Sequence, residues 1–445
     1  MFLLALSSLR QRPGRSLATL LSAFLGAAVI MTFNSMHDTA GASGVDSTSA
    51  ESLTTAASVV GGYGTLLVFF AVASTLTVNV RQRSEEINLL RCTGATPAQI
   101  KRMVVGEAAV IALIGAVLAI GPAMLGGRLL LGLFQDSGQV ADSVDYSFGP
   151  VALMSGIDIT VLAAVGAALL AVRRAVRAAA GARPARGRLR DLAAYAALVA
   201  GALSVGSTFA FKATDAALMA PAAYGSILLA VGFALLSPRL LHALLGRVER
   251  PLTALAGAGG YLTVHNLRRR ADQLSGVLMP LILFTGMATA TLYMQAVEND
   301  AIDASGLTKS VDDKNLQTLN LVVVGIIVVF ACVMLINSLY AATSYRAREF
   351  GQQRLAGATP RQVLATVGVE GLVLTVTGVF FGSLAGLAGI LPFTAVRTDG
   401  LLPDRGLGIW LTIVAVATAA TLVTSLVTAR RTLRTSAVEA VSLAA

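Results

Sequence analysis

The side chains that could do chemistry in this sequence are few, and most are scattered. His37, His242 and His265 share no neighbourhood, Cys92 and Cys332 fall in segments that cannot meet, and neither set has metal-ligand spacing. No glycine-rich loop runs into Lys-Ser or Lys-Thr as a phosphate-binding loop must, and the Lys309-Ser310 pair lacks the glycines. The expectation is a chain with no catalytic residues, no metal and no cofactor of its own. What does stand out is a turn framed by charge that occurs twice. Arg83-Ser84-Glu85-Glu86 through Arg91, Gly94-Ala95-Thr96-Pro97, Gln99 and Glu107 recur at identical spacing as Arg346-Ala347-Arg348-Glu349 through Arg354, Gly357-Ala358-Thr359-Pro360, Gln362 and Glu370.

The chemistry of that turn is mechanical. Glu86, Ile87, Leu90 and Arg91 continue a helix, and Gly94 sits where a left-handed residue would end it. Thr96 fits as N-cap of a second helix, Pro97 as its first residue and Gln99 as the partner in a capping box. Gly357, Thr359, Pro360 and Gln362 repeat the four roles. Each copy therefore predicts two helices joined by a tight turn, a protrusion stiff enough to transmit a push.

The elements that must hold these turns are membrane helices. Of 445 residues, 55% are hydrophobic and 13% charged, with mean hydropathy +0.74, too little polar surface for a soluble chain. Apolar runs near 16–33, 58–80, 106–131, 149–172, 192–211, 217–236, 274–294, 319–342, 366–391 and 407–429 can each cross a ~30 Å hydrocarbon core as an α-helix. Arginines collect in alternate loops, at 10–15, 81–91, 173–190, 268–270, 346–361 and 430–434, whereas Asp38, Asp46, Asp136, Asp142, Asp145, Glu298 and Asp300 occupy the others. The positive-inside rule puts the arginine-rich loops and both termini in the cytoplasm of a multi-pass protein. The net charge of +10 follows from this asymmetry and suits anionic lipid headgroups rather than nucleic acid.

The expected fold is all-α, with about ten transmembrane helices in two parallel four-helix units joined by a two-helix hairpin. The expected divisions are 1–180 for the first unit with an N-terminal elbow, 181–256 for the linker and hairpin, and 257–445 for the second unit with its elbow. Leu9-Arg10-Gln11-Arg12 before the first span matches Leu267-Arg268-Arg269-Arg270 before the seventh. An even number of spans separates the units, so the repeat is parallel, not inverted.

The segments Arg83 to Ala119 and Arg346 to Gly382, with the spans around them, resemble the FtsX-like permease family. That family includes the membrane subunits of MacB-type, lipoprotein-releasing and bacitracin-resistance ABC systems. Ten spans with duplicated units are most similar to the bacitracin-resistance type, without its large extracellular domain. The resemblance implies a bacterial plasma-membrane permease driven by a separate cytoplasmic ABC ATPase, two copies per chain, with ATP and Mg bound by that partner. It also implies that the two hairpins are the ATPase-coupling elements, through Arg83, Glu86, Arg91, Gly94, Ala95, Thr96, Pro97 and Gln99, and through Arg346, Glu349, Arg354, Gly357, Ala358, Thr359, Pro360 and Gln362.

Two functions stay open at this stage. One is export or extraction of an amphipathic or apolar compound or peptide; the other is a mechanotransmitter that actuates an extracytoplasmic partner such as a cell-wall hydrolase. The outside segments 34–57 and 294–318 are too short to fold independently, which favours the first. Glu107 and Glu370 at the span ends either anchor the hairpins or snorkel to the interface. Asp158 is either an intramembrane polar site or an outer-interface residue, and the glycines of the third and ninth spans serve either sliding or ordinary close packing. The orientation carries a test. Cysteines introduced at Ser137 and Ser305 should react with an impermeant thiol reagent outside cells, while those at Ser84 and Ser436 should be protected. The opposite pattern overturns the topology.

Overall fold

A chain with no water around its middle must satisfy its backbone within each segment, and the structure does so with helices alone among the described residues. The computed structural model describes residues 13–54, 56–58, 92–136, 138–179, 186–213, 218–304, 346–398 and 406–442, with isolated positions between them. The segments expected to form the second and eighth spans, 58–80 and 319–342, lie almost wholly outside the described residues. The other eight all appear as helices long and apolar enough to cross a membrane.

One compact unit holds α1 (Pro13–Ala40), α2 (Pro97–Asp136) and α3 (Pro150–Ala179). A second holds α4 (Arg186–Ser207), α5 (Met219–Ala304), α6 (Ala347–Leu355), α7 (Pro360–Thr398), α8 (Gly408–Thr432) and α9 (Ala437–Ser442).

A straight helix as long as α5 would extend about 130 Å, four times a bilayer core. It doubles back instead. Ala222 and Met294 share one buried cluster, the Ala230 Cβ lies opposite Gly286, and the Arg268 guanidinium donates to Glu249 at 2.7 Å. These pairs close toward a tip in the Pro251–Gly260 region, so α5 supplies two antiparallel spans, Met219–Arg247 and Gly276–Ile302. Helical structure continues through 256 and 257, and the central hairpin belongs to the second unit's compact body.

Lipid gives apolar helices no hydrophobic reason to associate, so contact depends on how closely backbones approach. In the first unit a Cβ at Gly115 of α2 would meet the Ala23 Cβ of α1 at 3.0 Å, and Ala27, Met31, Ala116, Ala119 and Ala123 fill the seam beyond. In the second unit Gly378 of α7 faces Leu281 on the second arm of α5, Gly382 faces Thr285, and Gly386 faces Thr289. A threonine hydroxyl bridges each seam, Thr32 donating to the Ala123 carbonyl at 3.3 Å and Thr285 to that of Gly378 at 3.4 Å. The seam positions on α2 and α7 match through the repeated turn, so the duplication extends from sequence to helix register.

Away from the arginine-rich ends, α1 and α3 are tied by Asp38, whose carboxylate accepts from Val151 N–H at 3.2 Å and Ala152 N–H at 2.8 Å. An acid at the start of a helix also suits its dipole. In the second unit Arg397 donates two hydrogen bonds to Glu298, at 2.9 and 2.7 Å, fastening the end of α7 to the second arm of α5.

Close approach can be tested at two glycines. A methyl on Gly389 would meet the Ser226 hydroxyl and, at 2.6 Å, the Ala222 carbonyl; one on Gly132 of α2 meets nothing within 4 Å among the described residues. Alanine gains about 1 kcal/mol over glycine in a helix, and overpacking costs about 1–3 kcal/mol. Thermal unfolding in detergent should therefore show Gly132→Ala at or above the wild-type midpoint and Gly389→Ala below it. A Gly389→Ala midpoint at or above wild type would contradict the seam.

Candidate functional site

The repeated turns are built as their residue types require. Gly94 has φ +93° and Gly357 φ +97°, the left-handed conformation that a side chain resists. In the second copy the Gly357 N–H donates to the Arg354 carbonyl at 3.1 Å and the Ala358 N–H to that of Gln353 at 2.9 Å, the two bonds of a Schellman ending. The next helix starts on a reciprocal capping box, with Thr359 N–H donating to Gln362 Oε1 at 2.8 Å and Gln362 N–H to Thr359 Oγ1 at 3.3 Å. The first copy has the same box, Thr96 N–H to Gln99 Oε1 at 2.9 Å and Gln99 N–H to Thr96 Oγ1 at 3.3 Å. Pro97 and Pro360 open α2 and α7.

Electrostatics fix the second hairpin to its span. Arg346 is buried and its guanidinium forks onto Glu370 of α7, Nη2 donating to Oε1 at 3.0 Å and Nη1 to Oε2. Its Nε donates to Glu349 at 3.1 Å, and the group lies over the Phe350 ring at 5.0 Å. Burial disfavours the guanidinium charge, yet the two carboxylates outweigh it and raise the Arg346 pKa above its ordinary value. Below this pair Phe350, Val363, Val367 and Ala429 form a small buried core. Arg354 donates to the carbonyls of Leu433 at 3.2 Å and Thr435 at 2.8 Å, closing the end of α8. The hairpin is thereby fastened to two spans.

The structure brings the expected second-copy residues into one body: Arg346, Glu349 and Arg354 on or beside α6, the turn Gly357–Ala358–Thr359–Pro360, and Gln362 with Glu370 on α7. In the first copy Gly94, Ala95, Thr96, Pro97 and Gln99 form the matching turn, and Glu107 is buried as Glu370 is. Arg83, Glu86 and Arg91 lie outside the described residues. The Arg–Glu fork, the Phe350 platform and the tie to α8 were not foreseen. One signal was present, since an arginine precedes the span-end acid by the same interval in both copies, Arg83 to Glu107 and Arg346 to Glu370. Asp158 is exposed on α3. Among the described residues no three histidine, cysteine or acidic side chains gather as a metal site would require.

Paired apolar spans with a duplicated, capped hairpin define a multi-pass membrane subunit of the ABC-permease type. The family model described as FtsX-like permease C-terminal matches residues 58–180 and again 321–437, together more than half the chain, and the protein belongs to that family. No curated protein matches it. Members of the family pair with a cytoplasmic ABC ATPase.

The fork yields a prediction. Removing one partner of a buried pair leaves an uncompensated charge at a cost of about 3–5 kcal/mol, whereas apolar replacement of both partners is often near neutral. Glu370→Gln leaves Arg346 with Glu349 alone and should lower the unfolding midpoint, and Arg346→Met with Glu370→Leu and Glu349→Gln should recover most of the loss. Equal midpoints for Glu370→Gln and wild type would show that the pair does not hold the hairpin.

Proposed function

We propose that the chain is the permease subunit of an ATP-driven exporter or extractor of an amphipathic or apolar compound or peptide. Its two hairpins are the points at which a separate ATPase acts. The observation that carries this reading is the duplicated joint. Each copy has a left-handed glycine, a reciprocal cap and a continuous helix from the turn into a span, and the described second copy adds a buried ion pair. The arginine-rich ends face the cytoplasm, so both hairpins are presented to a soluble partner, with one ATPase copy at each. A hairpin that only bound the ATPase would need a surface and no locked joint. A fastened joint moves the span when the tip is pushed.

Four variants test the lever. Thr96→Ala and Thr359→Ala each remove a cap of about 1 kcal/mol, and Gly94→Val and Gly357→Val put a β-branched residue at positive φ at a cost of at least that size. The co-purified complex should still assemble and hydrolyse ATP, with hydrolysis uncoupled from export measured in the same membranes. Unchanged export in all four variants at normal expression would make the hairpins passive connectors. Intact hydrolysis with no compound moved, even by the wild type, would favour the mechanotransmitter.

A further inference from the structure

The hairpins leave Asp158 without a part to play. The Asp38 carboxylate ties the start of α3 at Pro150 to α1. Asp158 lies about 12 Å along the axis from that end and about 22 Å from Arg173, where the span closes. An aspartate has no long stem with which to carry its charge back to water, as lysine or arginine would. Asp158 lies inside the candidate span Pro150–Arg173. Among the described residues its side of the helix faces outward from the first unit: Val151, Met154 and Leu162, at helical spacing from it, are 48%, 61% and 68% exposed. Asp158 makes no hydrogen bond or ion pair with the described residues. Arg128 lies instead over the Tyr146 ring at 5.9 Å.

We propose that this face of α3 binds a cationic amphiphile, whose apolar part lies along Val151, Met154 and Leu162 and whose ammonium or guanidinium group pairs with Asp158. The inference rests on the export reading and names the charge of what is exported. A carboxylate at that depth is stabilised by a cation that brings its own apolar body into the leaflet, and a neutral or anionic amphiphile gains nothing from it. Charge complementarity selects such a ligand over bulk lipid, while the apolar stripe accepts the chain without demanding a particular shape.

The full chain in nanodiscs provides the test, with binding of hexadecyltrimethylammonium compared with hexadecanol and hexadecyl sulfate, which share its tail. The cation should bind above empty discs and in preference to the other two. Asp158→Asn should weaken it roughly tenfold, and Asp158→Glu should retain it. No preference for the cation in the wild type, or equal affinity in Asp158→Asn, would overturn the proposal. Met154→Cys chains that crosslink to each other efficiently would overturn it too, by making this face a contact between copies. Failure of the wild-type chain to associate with an ATPase is a separate result that strikes the permease reading and not this one.

Discussion

Arg346 is held on three sides, by Glu370 of the span, by Glu349 one turn along its own helix, and by the Phe350 ring beneath it. The order of the second hairpin depends on this arrangement. The residues before the turn are short of apolar surface, so α6 could not dock by burial alone, and only Phe350 and Gly351 in it are buried. The fork supplies direction as well as attraction, because a planar guanidinium accepts a carboxylate in few orientations. With the fork made, Phe350 reaches Val363, Val367 and Ala429, and Arg354 reaches the end of α8.

The same logic of close contact, applied without charge, orders the spans. Gly378, Gly382 and Gly386 let α7 approach the second arm of α5, and Gly115 with Ala119 and Ala123 lets α2 approach α1. Glycines of α7 face the larger Leu281 and Thr285, and alanines of α2 pack with Ala27. The two seams thus reach a similar register with different volumes, as a duplicated unit can after its copies diverge.

Local features were legible in the sequence, and features between distant residues were not. Gly94, Thr96 and Gln99, like Gly357, Thr359 and Gln362, interact within a few residues of one another, and their types alone specify the turn. Span positions follow from hydropathy because lipid leaves the backbone no other choice. The fork joins residues in different helices, and nothing in the type of Arg346 or Glu370 states which partner each takes. The reversal between the sixth and seventh spans followed from their positions, but the helical connection between them did not. The tip region of α5 is rich in alanine and glycine around 255–260, yet helical structure continues through it, so the turn between spans has no loop composition of the usual kind. Asp158 was visible as an acid among apolar residues, whereas the tie between Asp38 and the start of α3 was not.

Relative stiffness decides where movement can occur. Breaking the Arg346–Glu370 fork leaves a buried guanidinium with Glu349 alone, so the broken state is little populated. The seam between α7 and α5 is different in kind, since lipid replaces much of what is lost when one apolar helix slides on another, and its threonine bridge at 3.4 Å is weak. On the proposed coupling role, a load applied at the Gly357 turn would meet a joint that resists and a seam that yields. The displacement would then pass through α7 as a unit and be taken up along the line of glycines. Were the glycines large residues interlocked with Leu281 and Thr285, and the fork a lone surface pair worth about 1 kcal/mol or less, the order would invert and the hairpin would bend while the spans stayed still.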